Sequence, residues 1–388
     1  MSEQVTAAVR DVLPALRERA QEAEDRRRVP DESIKALQLA GVFKLLQPKR
    51  YGGFEAEPVT FYETIRAIAS ACGSTGWVSS VVGIHPWQLG LFPDEAQREV
   101  WGDDPDSRIS SSYAPTGRAT LVDGGYELTG RWSFSSGCDH ASWVFLGGVV
   151  SDEGGKQVDF CTFLLPRQDY VIEDVWDTVG LRGTGSNDII VDKVFVPKHR
   201  ALSFADTSKC VCPGQELNTS PLYKLPFASL FSYAITTPII GMATGAYNAH
   251  VEHMKARVRV SYKGERSSED PFAKVRIATA ASEIDAAWLQ LTHNMTELMG
   301  HANRGERIPL PLRLRVRRDQ VRGTGRAIEA IDMLFENSGG RAIRMGTPIQ
   351  RFWRDAHAGR AHAINDPERA LMMFGNGEFG IPVQDAML

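Results

Sequence analysis

The sequence predicts an α+β chain of several domains: helices at the N-terminus, a β-barrel or sandwich in the middle, and an antiparallel helical bundle at the C-terminus. Three observations predict it. The 388 residues exceed the roughly 250 to 300 that a single hydrophobic core organises. The apolar spacing changes from helical to strand-like near residue 106 and back near residue 225. Between 203 and 224 no periodicity survives and turn residues collect. The expected units are residues 1–105, residues 106–202, and residues 203–388, the last opening with a loop that leads into a four-helix bundle.

In the first unit Val5, Val9, Val12 and Leu16 recur on one helical face. Pro14 falls inside that pattern and predicts a kinked or shortened helix. "DESIKALQLAGVF" after Pro30 has an acidic helix start and a glycine stop, and "TFYETIRAIASACG" repeats the arrangement. In the second unit "ATLVDGGYELTGRWSF" holds two β-prone runs about Asp123-Gly124, a hairpin dipeptide. "SWVFLGGVV", "VDFCTFLLP" and "DIIVDKVFVP" supply further strands. Residues 203–224 read as a linker or a mobile loop over the β-domain. In the third unit Ile277, Ala281, Ile284, Trp288 and Leu291, and then Val321, Thr324, Ile328, Ile331 and Phe335, form bundle seams.

Composition excludes several function classes. A net charge of -4 leaves no electrostatic footprint for nucleic acid. "RLRVRRDQVR" is locally basic, but it opens a helix and reads as a solvated face. No stretch reads as a membrane span or signal peptide. The odd set Cys72, Cys138, Cys161, Cys210 and Cys212 lacks metal-ligand spacing and fits reduced thiols in the cytoplasm. No metal site is expected.

Beyond composition, whole phrases carry a resemblance. "DTVGLRGTGSNDIIVDKVFVP" (177–197), "ENSGGRAI" (336–343) and "RFWRDAHAGRAH" (351–362) resemble the middle-domain signature, paired-glycine turn and Arg-Asp motif of the acyl-CoA dehydrogenase fold. The glutamate that removes an α-proton in the true dehydrogenases has no clear counterpart here. "GSTGWVSSVVGIHPW", "RISSSYAPTG", "WSFSSGCDHASW" and "RDAHAGRAHAINDPERA" instead resemble the oxygenase components of two-component aromatic monooxygenases, among them those that hydroxylate the phenolic ring of a 9,10-seco-steroid.

The resemblance implies an enzyme that uses FMNH2 or FADH2 and O2, through a C4a-hydroperoxyflavin, to hydroxylate a small aromatic phenol at the ortho carbon. It also implies a separate NAD(P)H:flavin reductase as partner and a homotetramer. No G-x-G-x-x-G opens a helix after a strand, so nothing here binds nicotinamide. Alternatives on the same fold are an amino-sugar N-oxygenase, an indole or polyketide oxygenase, or an acyl-CoA dehydrogenase; a flavin carrier is the non-enzymatic one. The substrate pocket is expected among "GIHPW", the 203–240 region and "FGNGEFGIP".

Residue roles follow from the same resemblance. Ser135 and Ser136 hydrogen-bond the flavin N5 edge, and Gly137 lets the backbone come close. Ser112, Tyr113 and Ala114 line the ring; Trp77 and Val78 close its apolar side. His362 is the catalytic base, with Ala363 beside the cofactor and Asp366 orienting the imidazole. A phenol of pKa about 10 is not fully deprotonated by an imidazole of about 6.5, so the base acts through a hydrogen bond in the transition state. His357 lies on another helical face, Arg354 and Asp355 read as an ion pair or cap, and His140 as structural. Arg257 is a phosphate candidate. Gly339, Gly340 and Arg341 resemble a turn that contacts flavin phosphate or adenine from a neighbouring subunit.

Overall fold

The structure is a computed structural model that describes residues 2–259 and 264–383. The N-terminal unit is helical: α1 (Ser2–Glu18), α2 (Ala20–Asp25), α3 (Asp31–Leu39), α4 (Pro58–Ala71), α5 (Gly73–Leu89) and α6 (Asp94–Trp101). Helix α1 runs on through Pro14 to Glu18, so the expected shortening does not occur there. Every residue of α5 is buried, because the helix is enclosed by α4 and by the C-terminal bundle.

The middle unit takes the form of one seven-stranded mixed sheet. Its strands are β1 (Ile109–Val122), β2 (Gly125–Ser135), β3 (Trp143–Ser151), β4 (Gln157–Pro166), β5 (Val171–Glu173), β6 (Asn187–Pro197) and β7 (Ala201–Ser203), in the order β5-β6-β2-β1-β3-β4-β7. The predicted hairpin is present: Val122 pairs with Gly125 across Asp123-Gly124, and Gly124 takes the left-handed φ of +75° that such a turn requires. β1 and β3 run parallel, and their register shifts between Ser112 and Gly117. β2 also shifts register against β6 between Trp132 and Ser135. Both irregularities fall in phrases singled out in the sequence, in line with the use of bulges to re-aim side chains beside sites.

Residues 203–224 are more ordered than a loop. They form α7 (Phe204–Lys209) and two short 3-10 turns, with Asn218 donating to the Gly90 carbonyl at 2.7 Å and Tyr223 buried. Turn residues removed the periodicity because each turn is too short to show one.

The bundle comprises α8 (Phe227–Ala256), α9 (Pro271–Asn303), α10 (Leu310–Asn337), α11 (Pro348–Arg360) and α12 (Pro367–Glu378). Helix α8 corrects one expectation. It is long and apolar enough to cross a membrane, but 94% of its apolar window is buried, packed against α4, α5, α10 and α11. One hydrophobic core joins the N-terminal helices to the bundle, while the sheet keeps its own, built on Leu128, Trp132, Leu146 and Phe163. The candidate site lies where the two meet.

Candidate active site

Strand β2 ends at Ser135, and Gly137 turns the chain with φ +71°. A Cβ on Gly137 would lie 2.8 Å from Val78 Cγ1, so glycine alone lets the strand end approach α5. Ser136 Oγ then sits 3.2 Å from Trp77 Nε1 and 2.7 Å from Ser186 Oγ. Ser186 Oγ is 2.7 Å from Thr184 Oγ1, which donates to the Leu181 carbonyl at 2.8 Å. The neighbouring Ser135 is fully buried, and its Oγ has no partner among the described residues.

The opposite side is the turn after α11. His362 begins a 3-10 turn, and its Nδ1 accepts the Ile364 N–H at 3.1 Å. Its ring centroid lies 6.1 Å from that of Trp77. Burial pushes the imidazole pKa down to about 4, so the ring is neutral at pH 7. Because Nδ1 spends its lone pair on the cap, the neutral ring carries its hydrogen on Nε2. Gly359 lets α11 reach α5 here: a Cβ would meet Trp77 Cζ3 at 2.8 Å.

The turn is held from beneath by Asn365. Its Nδ2 donates to Gly359 O at 2.9 Å, and its Oδ1 accepts from Gln320 Nε2 at 2.7 Å and Thr324 Oγ1 at 3.2 Å. Arg317 donates to the Ile364 carbonyl. Asp366 does not orient His362. Its carboxylate caps α12, accepting from Glu368 N and Arg369 N, because Pro367 starts a new helix and claims the acid as its N-cap.

The loop that carries Thr184 and Ser186 is clipped to α11 as well. Asp355 accepts the Leu181 N–H at 2.6 Å, and Arg354 donates to the Val179 carbonyl at 2.7 Å. Burial raises the Asp355 carboxyl to about 6. The expected ion pair joins Arg354 not to Asp355 but to Glu24. Helix α11 therefore positions both walls of the site.

Of the other sequence candidates, Ser112 donates to Ser133 O at 2.7 Å and ties β1 to β2. Tyr113 bonds Gln88 and packs edge-on against Phe227 and Phe231. Strand alternation sends Ala114 the other way, into the sheet core, so its side chain does not line the site beside Tyr113. His140 Nδ1 lies 3.2 Å from Asp31 Oδ1, and His357 Nε2 lies 3.2 Å from Asp332 Oδ1. His85 of "GIHPW" is fully buried, its Nδ1 2.6 Å from the Ile109 carbonyl. The "FGNGEFGIP" tail packs along α10 and against Leu314. Glu95, Glu99 and His199 lie close enough to share a cation, but Arg200 already bonds Glu99.

Arg257, Gly339, Gly340 and Arg341 form a second group. Arg257 donates to the Asn337 carbonyl at 2.8 Å, and a Cβ on Gly339 would collide with its guanidinium at 2.2 Å. A Cβ on Gly359 would meet Ile239 of α8 at 3.3 Å, at the level of the first group, whereas Arg257 follows the end of α8. At 1.5 Å per residue the two lie about 27 Å apart along the helix. One chain does not bring them together.

Sequence reasoning missed Thr184, Ser186, Gln320 and Asn365 as site-forming residues. The signal was present for the first two, since both stand in the signature phrase at 177–197; the contact of Ser186 with Ser136, 50 residues away, is tertiary, and Thr184 reaches Ser136 only through Ser186.

Comparisons with known proteins agree with this geometry. The family models "Acyl-CoA dehydrogenase, N-terminal domain" and "Acyl-CoA dehydrogenase, C-terminal domain" match residues 2–103 and 233–367. The chain is 60% identical, over 97% of its own length and 98% of the relative's, to the flavin-dependent monooxygenase oxygenase subunit HsaA of Rhodococcus jostii strain RHA1. Its structure superposes on the crystal structure of 3-HSA hydroxylase from Rhodococcus sp. RHA1 with a TM-score of 0.97 and 59% identity, covering 99% of each chain. It also superposes on XiaF from Streptomyces sp. in complex with FADH2 and glycerol, with a TM-score of 0.91 and 28% identity, covering 98% of this chain and 96% of that one. The chain belongs to the oxygenase components of two-component flavin-dependent monooxygenases, built on the acyl-CoA dehydrogenase fold.

Proposed function

We propose that this oxygenase hydroxylates a phenol at the carbon ortho to its hydroxyl, and that the phenol is a seco-steroid ring. The name 3-HSA hydroxylase borne by a relative 59% identical supports that choice. The observation that carries the reading is the juxtaposition of Ser136 and Trp77 with a neutral His362. The residues present fit a reduced flavin: Ser135 offers an orphaned hydroxyl, Ser136 has a lone pair to spare, and Gly137 lets the strand end that carries them lie against Val78 of α5.

When bound, reduced flavin supplies the two electrons with which O2 delivers one oxygen atom to the ring and one to water. The chain supplies the rest. Ser136 accepts the flavin N5–H. Trp77 and Val78 exclude water from that edge. His362 meets the phenolic oxygen: with its cap in place it donates from Nε2, and when the cap opens Nδ1 is free to take a proton. Ala363, exposed next to it, leaves room for the ring.

The distant group at Arg257, Gly340 and Arg341 serves the flavin tail of a neighbouring copy, which requires a homo-oligomer, proposed as a tetramer. The absence of a nicotinamide fingerprint assigns reduction of the flavin to a separate NAD(P)H:flavin reductase. Five free thiols suit the cytoplasm.

The test supplies photoreduced FMN or FADH2 with a panel of phenols, then aerated buffer, and measures catechol and hydrogen peroxide. Catechol in step with flavin consumed supports the reading. Peroxide alone, with every phenol, overturns it.

A further inference from the structure

The chain of hydroxyls behind Ser136 has a direction, and its hydrogens fix it. A serine or threonine hydroxyl carries one hydrogen and two lone pairs. Thr184 commits its hydrogen to the Leu181 carbonyl, which can only accept. Ser186, 2.7 Å from Thr184, must therefore donate to it. Ser136, 2.7 Å from Ser186, must in turn donate to Ser186. Trp77 Nε1 is a donor only and gives its hydrogen to Ser136. Ser136 is left with one lone pair and no hydrogen to offer. All four side chains are buried, so reversing one link would set two lone pairs or two hydrogens face to face out of water.

We propose that Thr184 and Ser186 are positioning residues that hold Ser136 as an acceptor, so that the site selects flavin by redox state. Dihydroflavin bears a hydrogen on N5 and satisfies Ser136. Oxidised flavin bears a lone pair on N5 and faces another. The inference rests on the flavin reading above and adds the origin of the selection, three side chains deep. An oxygenase that receives its flavin from a separate reductase draws on a pool that also contains the oxidised form, and this contact sorts the two before oxygen is involved.

The test is equilibrium binding, independent of turnover. Oxidised flavin is titrated in air, and photoreduced flavin without oxygen, against the unaltered protein and against Ser186→Ala, Thr184→Val and Thr184→Ser. In Ser186→Ala the Ser136 hydrogen is released and can turn to an N5 lone pair. Binding of oxidised flavin should tighten, so that the ratio of the two dissociation constants falls about tenfold, the scale of one hydrogen bond.

Thr184→Val should do the same although Thr184 does not touch Ser136. Ser186 loses its acceptor, turns its hydrogen to Ser136, and frees the next. Thr184→Ser retains the hydroxyl and should retain the ratio. Binding of reduced flavin reports that each variant is folded, and either variant alone tests the chain should the other fail to fold. A ratio within about twofold of the unaltered protein in the Ala and Val variants would overturn the proposal. Failure of the unaltered protein to bind either flavin would be a different result: it removes the flavin reading, and this inference with it.

Discussion

The two walls of the site are made rigid in opposite ways. On the serine wall the side chains themselves are locked: Trp77, Ser136, Ser186 and Thr184 each spend a hydrogen on the next group. On the histidine wall the backbone is locked instead, through Asn365, Gln320 and Arg317, while the imidazole makes one hydrogen bond among the described residues, accepting the Ile364 N–H. A locked side chain suits recognition, since its polarity cannot adapt to the wrong ligand. A ring held by one hydrogen bond on a fixed turn suits proton movement, since its Nε2–H can donate and its Nδ1 can accept once that bond opens. On the proposed reading, the contrast separates holding the cofactor from handling the substrate.

The sharpest way to break that contrast is His362→Ala. Hydroxylation should fall by about 10²- to 10⁴-fold while the affinity for reduced flavin stays unchanged; a matching loss of flavin binding would mean that the two walls act as one. Next comes Asn365→Leu, which keeps the side-chain volume but removes the anchor under the turn. Catechol yield should drop about tenfold with peroxide rising in its place, and the cost in stability should be on the order of 1 to 3 kcal/mol, as for a buried group left unpaired, measurable by urea unfolding. If yield is unaffected, the backbone anchor does not position the imidazole.

Gly137→Ala tests the serine wall. The added Cβ would enter a left-handed φ and press on Val78 at 2.8 Å, so the variant should lose about 1 to 3 kcal/mol and bind reduced flavin more weakly. The smallest effect is the pH dependence of stability. Burial lowers His85, His140, His250 and His362 to about 4, so between about 4 and 6.5 the unfolded chain binds more protons and stability falls as pH falls. Asp355, raised to about 6, acts the other way: its contribution is lost as pH rises from about 3.8 to 6. Burial raises Asp139 and Asp169 as well, but the four imidazoles outnumber these three carboxyls and predict a lower Tm at pH 5 than at pH 7. An equal or higher Tm would mean that these imidazoles are charged in the folded protein.

The three-part architecture, the hairpin at Asp123-Gly124 and the positions of Ser136, Trp77 and His362 were legible in the sequence, because each is written in a local pattern or a contiguous phrase. Relations between phrases were not. Asp366 looked like a partner for His362 at four residues' separation, yet "DPER" also spells a helix start, and that local use won. Arg354 finds its acid at Glu24, at the other end of the chain, where no spacing rule reaches. Tyr113 and Ala114 stand together in sequence but face apart, because a strand sends neighbours to opposite sides. Residues 203–224 hid their order because short turns leave no period to read.

The hydroxyl chain ends on the carbonyl of Leu181, which receives hydrogen bonds but releases no proton. As a wire it leads nowhere. It polarises Ser136 and conducts nothing away, an insulated line beside a site where protons must nevertheless come and go with every turnover. On the proposed reading that traffic crosses the gap to the imidazole at the other wall, and the selector and the proton exit lie on separate circuits.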